Sequence, residues 1–424
     1  MLISFPYGDM FSPAELPDRN LISIYSKNDT EPIEYEDIRD AVCEALDSPV
    51  GTVRLETLAK GKKNVCVAVD DNRETPVRII APLIASRLEQ AGVKSVVFLV
   101  ASSRILTDEE KQKRFGKKLC SKYEIIVNTP RDPLSLRDLG YSENGTRIYI
   151  NNVATEADLL IAVGQIAPSH ISGFTGGAET ILPGIAGEET VSRLYWESGV
   201  VSDDEILGLT DNPVRSEMEL AAKRAGLAFV VDAVIDTKGC PVGFVAGDPA
   251  KAFRKGADIA RKAFGAYFHE RADIVVCSSF PFDRDLWQAS KALFAAGLMV
   301  KEGGVIIFVS PCLKGVAKNH PQVAEFGYHT SQETVAALNN GAITDLSAFS
   351  HLLHVGRIIK EKASCIMVKN GLGRDTALAL GFKYSATPQR AVDRAMKLMG
   401  PGARIAVLEE GGKALPIYMQ ISRF

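Results

Sequence analysis

The apolar run Leu159-Leu160-Ile161-Ala162-Val163 opens directly into Gly164–Gly187, a 24-residue segment with six glycines. A short apolar run that stops at a turn signal reads as a strand buried on both faces. Such a strand belongs in a parallel sheet covered by helices, and its neighbours must supply that sheet. They do. Val65–Val69 reads as a strand, and Pro76 opens a helix over Val77–Ala91. Ser95–Val100 is the next strand, and Thr107-Asp108-Glu109-Glu110 is a capping box that starts a helix. Glu124–Val127 and Arg147–Ile150 read as further strands of the same sheet. Ala228–Ile235 turns back through Asp236–Gly239 to Pro241–Ala246 as a hairpin, and residues 249–267 read as a helix. A second alternating series starts at Ile274-Val275-Val276-Cys277 and runs to the strand Arg404–Leu408. Residues 1–30 read as a hairpin or edge strands. The expected fold class is α/β: two α/β domains with largely parallel sheets, residues 1–270 and 271–424.

Composition excludes several functions. A net charge of −3 offers no basic surface for nucleic acid or an anionic membrane. No apolar run is long enough for a membrane span, and Met1–Gly8 lacks the charged and apolar regions of a signal peptide. Seven scattered cysteines with no Cys-x-x-Cys argue against a disulfide framework or a thiolate zinc site. The expected compartment is cytoplasmic, and the expected partner is a small anionic molecule. The oligomeric state is not legible.

Three stretches could carry chemistry. In Gly164–Gly187, Gly173, Gly176 and Gly177 leave amides bare where an anion could approach, although a ligand-free structural loop is the competing reading. Asp70-Asp71-Asn72-Arg73-Glu74-Thr75-Pro76 ends a strand on the edge where open α/β sheets bind ligands. Arg73 suits a carboxylate or phosphate, and Asp70 can orient it. In Asp283–Lys291, Gln288 and Lys291 lie three apart on one helix face and can present an amide and an ammonium to one oxyanion.

Pro168, His170, Gly173-Phe174-Thr175-Gly176-Gly177, a three-residue step and Ile181-Leu182-Pro183-Gly184 together resemble the nickel-pincer lactate racemase family. Those enzymes racemise or epimerise 2-hydroxy acids. Asp70 and Arg73 match the family's Asp-x-Thr-Arg-Pro motif, with Asn72 and Glu74 departing from it. Trp287, Gln288 and Lys291 match its aromatic-Gln-x-x-Lys motif. The resemblance spans nearly the whole chain and implies two α/β domains with a cleft between them. It implies that Asp70, Arg73, Trp287, Gln288 and Lys291 bind substrate, with Arg73 and Lys291 on its carboxylate. It also places Thr175, Gly176 and Gly177 at the cofactor.

The metal and pincer positions depart from the pattern. Ser103 stands where the family places a histidine before Arg104. Ser169 stands at a second histidine position, with His170 one residue later. Glu179 stands where a lysine carries the covalent link to the pincer nucleotide, and no histidine lies near Tyr195-Trp196. A carboxylate cannot form that amide, so a covalent nickel-pincer and a nickel site are not expected, and the cofactor stays unknown. His170 and Glu179 become the candidate acid–base groups. The function expected is a divergent racemase or epimerase of a 2-hydroxy acid or sugar acid. The alternative is an inactive paralogue that binds a carboxylate or phosphate ligand, or a partner protein.

Overall fold

The structure is a computed structural model and describes residues 1–25, 30–102, 104–368 and 371–419. The chain folds as two compact units. The first comprises Asp29–Leu194 and Leu209–Ala263; the second comprises Met1–Asn28, Tyr195–Gly208 and Phe264–Phe424. These units are not contiguous in sequence, unlike the 1–270 and 271–424 division. The reason is strand pairing: Leu21–Tyr25 lies parallel beside Ile405–Leu408 and closes the edge of the second unit's sheet.

The first unit holds a six-stranded sheet in the order Pro241–Gly247, Leu227–Ile235, Leu159–Ile166, Asn64–Val69, Ser95–Val100, Glu124–Val127. All neighbours are parallel except the Leu227–Ile235 and Pro241–Gly247 hairpin. Alternation along these strands aims Val65, Val67, Val69, Phe98, Ile161, Val163, Phe229 and Val231 into one buried cluster. Helix Val77–Gln90 adds Val77, Ile80, Ala81, Ile84 and Leu88 to it, at helical spacing. Arg147–Asn151 is not part of this sheet. It pairs antiparallel with Leu136–Tyr141 as a separate ribbon, because Leu136–Tyr141 supplies a nearby partner that the apolar pattern alone did not reveal.

The second unit holds another six-stranded sheet, in the order Lys383–Ser385, Ser364–Val368, Val300–Val309, Ala272–Ser278, Ile405–Leu408, Leu21–Tyr25, with every pair parallel. Its strands are apolar on both faces. Val275, Cys277, Ile306 and Phe308 enter one core, whereas Ile274, Val276, Val305 and Ile307 enter the other. The cysteines are free, and Cys66, Cys277, Cys312 and Cys365 are buried. Among the described residues no helix is long and apolar enough to cross a membrane.

Candidate functional site

In the first unit, chain order reverses between the adjacent strands Asn64–Val69 and Leu159–Ile166. Successive strands leave the first of these on one side, and later strands add to the second on the other. Ligands of open α/β sheets bind beyond the strand ends at such a switch point. Asp70 follows the first strand directly, and Gly164 lies near the end of the second.

The turn after Val69 is tightly wired. The Asp70 amide donates to Val163 O at 2.9 Å. Its carboxylate accepts from Thr75 Oγ1 at 2.7 Å and from Arg114 Nη2 at 2.9 Å. Arg114 also donates to the carbonyls of Asp70 and Asn72. Burial pushes the Asp70 carboxyl up to about 7, against the pull of Arg114 and Thr75. Asp71 accepts from Ser102 Oγ at 2.7 Å, which ties this turn to the end of the next strand.

Arg73 is exposed and lines a cavity of about 480 Å³ together with Arg78, Arg104, Lys113 and Arg114. Asp71 and Glu110 are the acidic residues lining it, and Glu110 is paired with Arg104 at 2.8 Å. Five cations against two carboxylates make this cavity attractive to an anion, and its size suits a small organic acid.

The glycine-rich segment folds back through a two-residue hairpin, Pro168–Ser169 with Gly173–Phe174, and then a 3-10 turn, Gly177–Thr180. His170 is half-buried on the hairpin turn. Ser169 Oγ accepts from the amides of Ile171 and Ser172 and so shapes that turn. Thr175 Oγ1 donates to Gln165 O at 2.6 Å and accepts from Ala167 N at 2.9 Å. Gly176 N donates to Glu179 Oε2 at 2.8 Å, and Gly177 N donates to Asp232 Oδ2 at 3.0 Å. Two of the three amides singled out for an external anion, those of Gly176 and Gly177, thus meet carboxylates of the chain itself. Glycine is needed at both positions, with φ of 83° and 60°; a Cβ on Gly176 would also lie 2.6 Å from Ile166 Cγ1. Ser103 lies outside the described residues.

Sequence reasoning missed three residues of this site: Arg114, Arg215 and Asp232. Arg215, on helix Pro213–Arg224, is 1% exposed and donates to Gly176 O at 3.0 Å and to Phe174 O. Its guanidinium lies 4.0 Å from the Phe253 ring centroid. Asp232, in the strand Leu227–Ile235, is fully buried. A lone carboxylate inside the apolar run Phe229–Ile235 was the available signal, since burying one is costly.

In the second unit, Trp287 and Gln288 lie on the short helix Leu286–Ala289. Lys291 begins the helix Lys291–Met299, and Ser290 between them keeps helical angles, so the three-residue spacing survives. Asp285 caps this start by accepting from Gln288 N at 2.9 Å. Lys291 Nζ lies 4.0 Å from the Phe282 ring centroid. The Trp287 ring is sandwiched between His320 and His351, with centroids at 4.2 Å and 4.4 Å and interplanar angles of 15° and 13°. His320 Nδ1 is 2.7 Å from Asp345 Oδ2, and His351 Nε2 is 2.8 Å from Tyr328 OH. Burial pushes the His351 imidazole down to about 3, so it is neutral in the stack at physiological pH. His320→Ala strips one face of the indole. The expected cost is roughly 0.5–1.5 kcal/mol, with readier acrylamide quenching of Trp287 in a Trp196→Phe background. Unchanged quenching would mean that the stack does not hold the ring.

Residues 7–200 match the model of the lactate racemase N-terminal domain, and residues 268–415 match that of the lactate racemase C-terminal domain. The chain belongs to the lactate racemase family. It is 33% identical over 321 residues to the lactate racemase of Thermoanaerobacterium thermosaccharolyticum, covering 74% of this chain and 75% of that protein. With the lactate racemase of Lactiplantibacillus plantarum it shares 32% identity over 324 residues, again 74% and 75% of the two chains. The solved apoprotein of the Thermoanaerobacterium lactate racemase superposes with a TM-score of 0.88 at 28% identity, covering 98% of this chain and all of that one. A crystal structure of a Thermotoga maritima protein, at 19% identity and a TM-score of 0.68, shares the fold and covers 93% of this chain and all of that one.

Proposed function

We propose that this lactate racemase family member racemises or epimerises a 2-hydroxy acid or sugar acid, and that it does so without a covalently attached pincer nucleotide. The observation that carries this reading is the cation-lined cavity formed by the segments that follow the strands Asn64–Val69 and Ser95–Val100, where Arg73 lines an anion-sized space beside the Asp70 turn. Arg73 is assigned to the substrate carboxylate, which its planar fork can grip through two parallel hydrogen bonds. Trp287, Gln288 and Lys291 are assigned to substrate on the strength of their motif. His170 is the assigned acid–base group for the substrate hydroxyl, and Glu179 orients the turn that follows it.

The family's pincer nucleotide needs an amine at residue 179. Glu179 offers a carboxylate, held by the Gly176 amide at 2.8 Å. A carboxylate at this position does not fit the covalently attached group. The test is a chiral assay of the purified protein against lactate and a panel of longer 2-hydroxy acids and sugar acids. Interconversion of the two configurations at the hydroxyl-bearing carbon is expected for at least one of them. Failure across the panel, with no binding by calorimetry, would reject the assignment.

A further inference from the structure

Asp232 is a buried carboxyl group that the proposed reaction does not use. Its Oδ2 accepts from the Gly177 amide, whereas Oδ1 is buried and has no hydrogen-bond partner among the described residues. Asp232 is in register with Gly164 on the neighbouring strand. A β-carbon on Gly164 would lie 2.9 Å from Asp232 Oδ1, 3.0 Å from Thr180 Oγ1 and 3.8 Å from Asp70 Oδ2. Three oxygens thus crowd one bare glycine, and two belong to carboxyl groups. An ionised, unpartnered oxygen in such a place is strongly disfavoured, whereas a protonated carboxyl brings its own donor to the oxygens beside it.

We propose that Asp232 carries a proton in the working protein, so that this buried carboxyl is a proton reservoir at the strand-end site. The inference rests on reading these strand ends as the functional site. Its test, however, reads the proton itself rather than turnover, so the two can fail separately. Several charged groups face the pair. Arg114 reaches Asp70 from helix Asp108–Phe115, Glu179 approaches from the 3-10 turn, and Arg215 approaches from helix Pro213–Arg224. Glu219 and Arg254 lie beyond them and act on Arg215. With a proton on Asp232, the two arginines balance Asp70 and Glu179. With none, a net negative charge is sealed in. Burial pushes both aspartic acids up to about 7; Asp70 raises Asp232 further, and Glu179 raises both.

Both carboxyls are raised in the fold above the 3.8 of an ordinary aspartate. Their contribution to stability is therefore full below about pH 4 and is lost as pH rises through about 7. The experiment is infrared spectroscopy of protein with isotope-labelled aspartate carboxyls, recorded at about pH 6 and about pH 9. A protonated aspartic acid band that shifts with the label should be present at the lower pH and fade at the higher one. Asp232→Asn should weaken it by the Asp232 share and lessen the fall of melting temperature over the same range. Absence of the band in the wild-type protein at the lower pH would overturn the proposal, even if the variant did not fold. A band of undiminished intensity in a folded Asp232→Asn would overturn it as well.

Discussion

Replacing Arg215 with alanine destabilises the first unit by about 3–5 kcal/mol, the usual penalty for deleting one partner from a buried charge cluster. The guanidinium is almost wholly buried, and burial pulls its pKa down to about 10. It stays charged at neutral pH, with Glu179 and Glu219 beside it opposing the effect of burial. It is also the donor that pins the backbone of the glycine-rich segment, through the carbonyls of Phe174 and Gly176. Alanine would leave those carbonyls without this donor, strip the packing over Phe253, and leave Asp70, Glu179 and Asp232 short of a positive charge. Arg215→Lys keeps the charge but lacks the planar fork, so it should fall between the two. Urea unfolding measures the loss, and hydrogen exchange over Gly173–Thr180 should rise in the alanine variant. A change of less than about 1 kcal/mol would mean that Arg215 does not hold the segment.

Arg73→Ala weakens hydroxy-acid binding by tenfold or more and leaves the fold intact. A charge-assisted hydrogen bond contributes roughly 1.5–3 kcal/mol, and every 1.4 kcal/mol is about tenfold in affinity. Arg73 is exposed and lies outside the hydrophobic core, so its removal should not alter the unfolding midpoint. Arg114→Ala behaves differently, because Arg114 is tied to Asp70 and to the backbone of the turn. It should lose both affinity and stability. Calorimetry with the best ligand from the chiral panel distinguishes them; unchanged affinity in Arg73→Ala removes this residue from the site.

Much of this was written locally in the chain. The central strands of both large sheets were legible because each is an apolar run with a turn signal at its end, whereas Leu136–Tyr141 went unread and Gly265–Phe268 was read as the end of a helix. The Thr107–Glu110 capping box was legible because its two reciprocal hydrogen bonds join residues three apart. The Asp70–Pro76 turn was legible because its own bonds are also local, Thr75 to Asp70 and the Glu74 amide to Asn72. What could not be read is carried by contacts between distant residues. Asp232 meets the Gly177 amide across 55 positions, and Arg114 meets Asp70 across 44. In sequence Arg114 is one more charge on a highly charged helix, and nothing marks it as the side chain that turns inward. The bare amides of Gly176 and Gly177 could not be known to face Glu179 and Asp232 until the turn was in place. The Leu21–Tyr25 strand was legible as an edge, but its partner lies at the other end of the chain.

The most direct test of the account is the intact mass of the protein made alongside the enzymes that synthesise the pincer nucleotide. A lactate racemase with the linking lysine, produced the same way, serves as the control that gains the adduct. Glu179 cannot form the amide, and its carboxylate is already engaged by the Gly176 amide. The expected result is a mass equal to that of the chain alone, in a protein that still binds the hydroxy acid of the panel. A mass increment of nucleotide size on this chain would contradict the account.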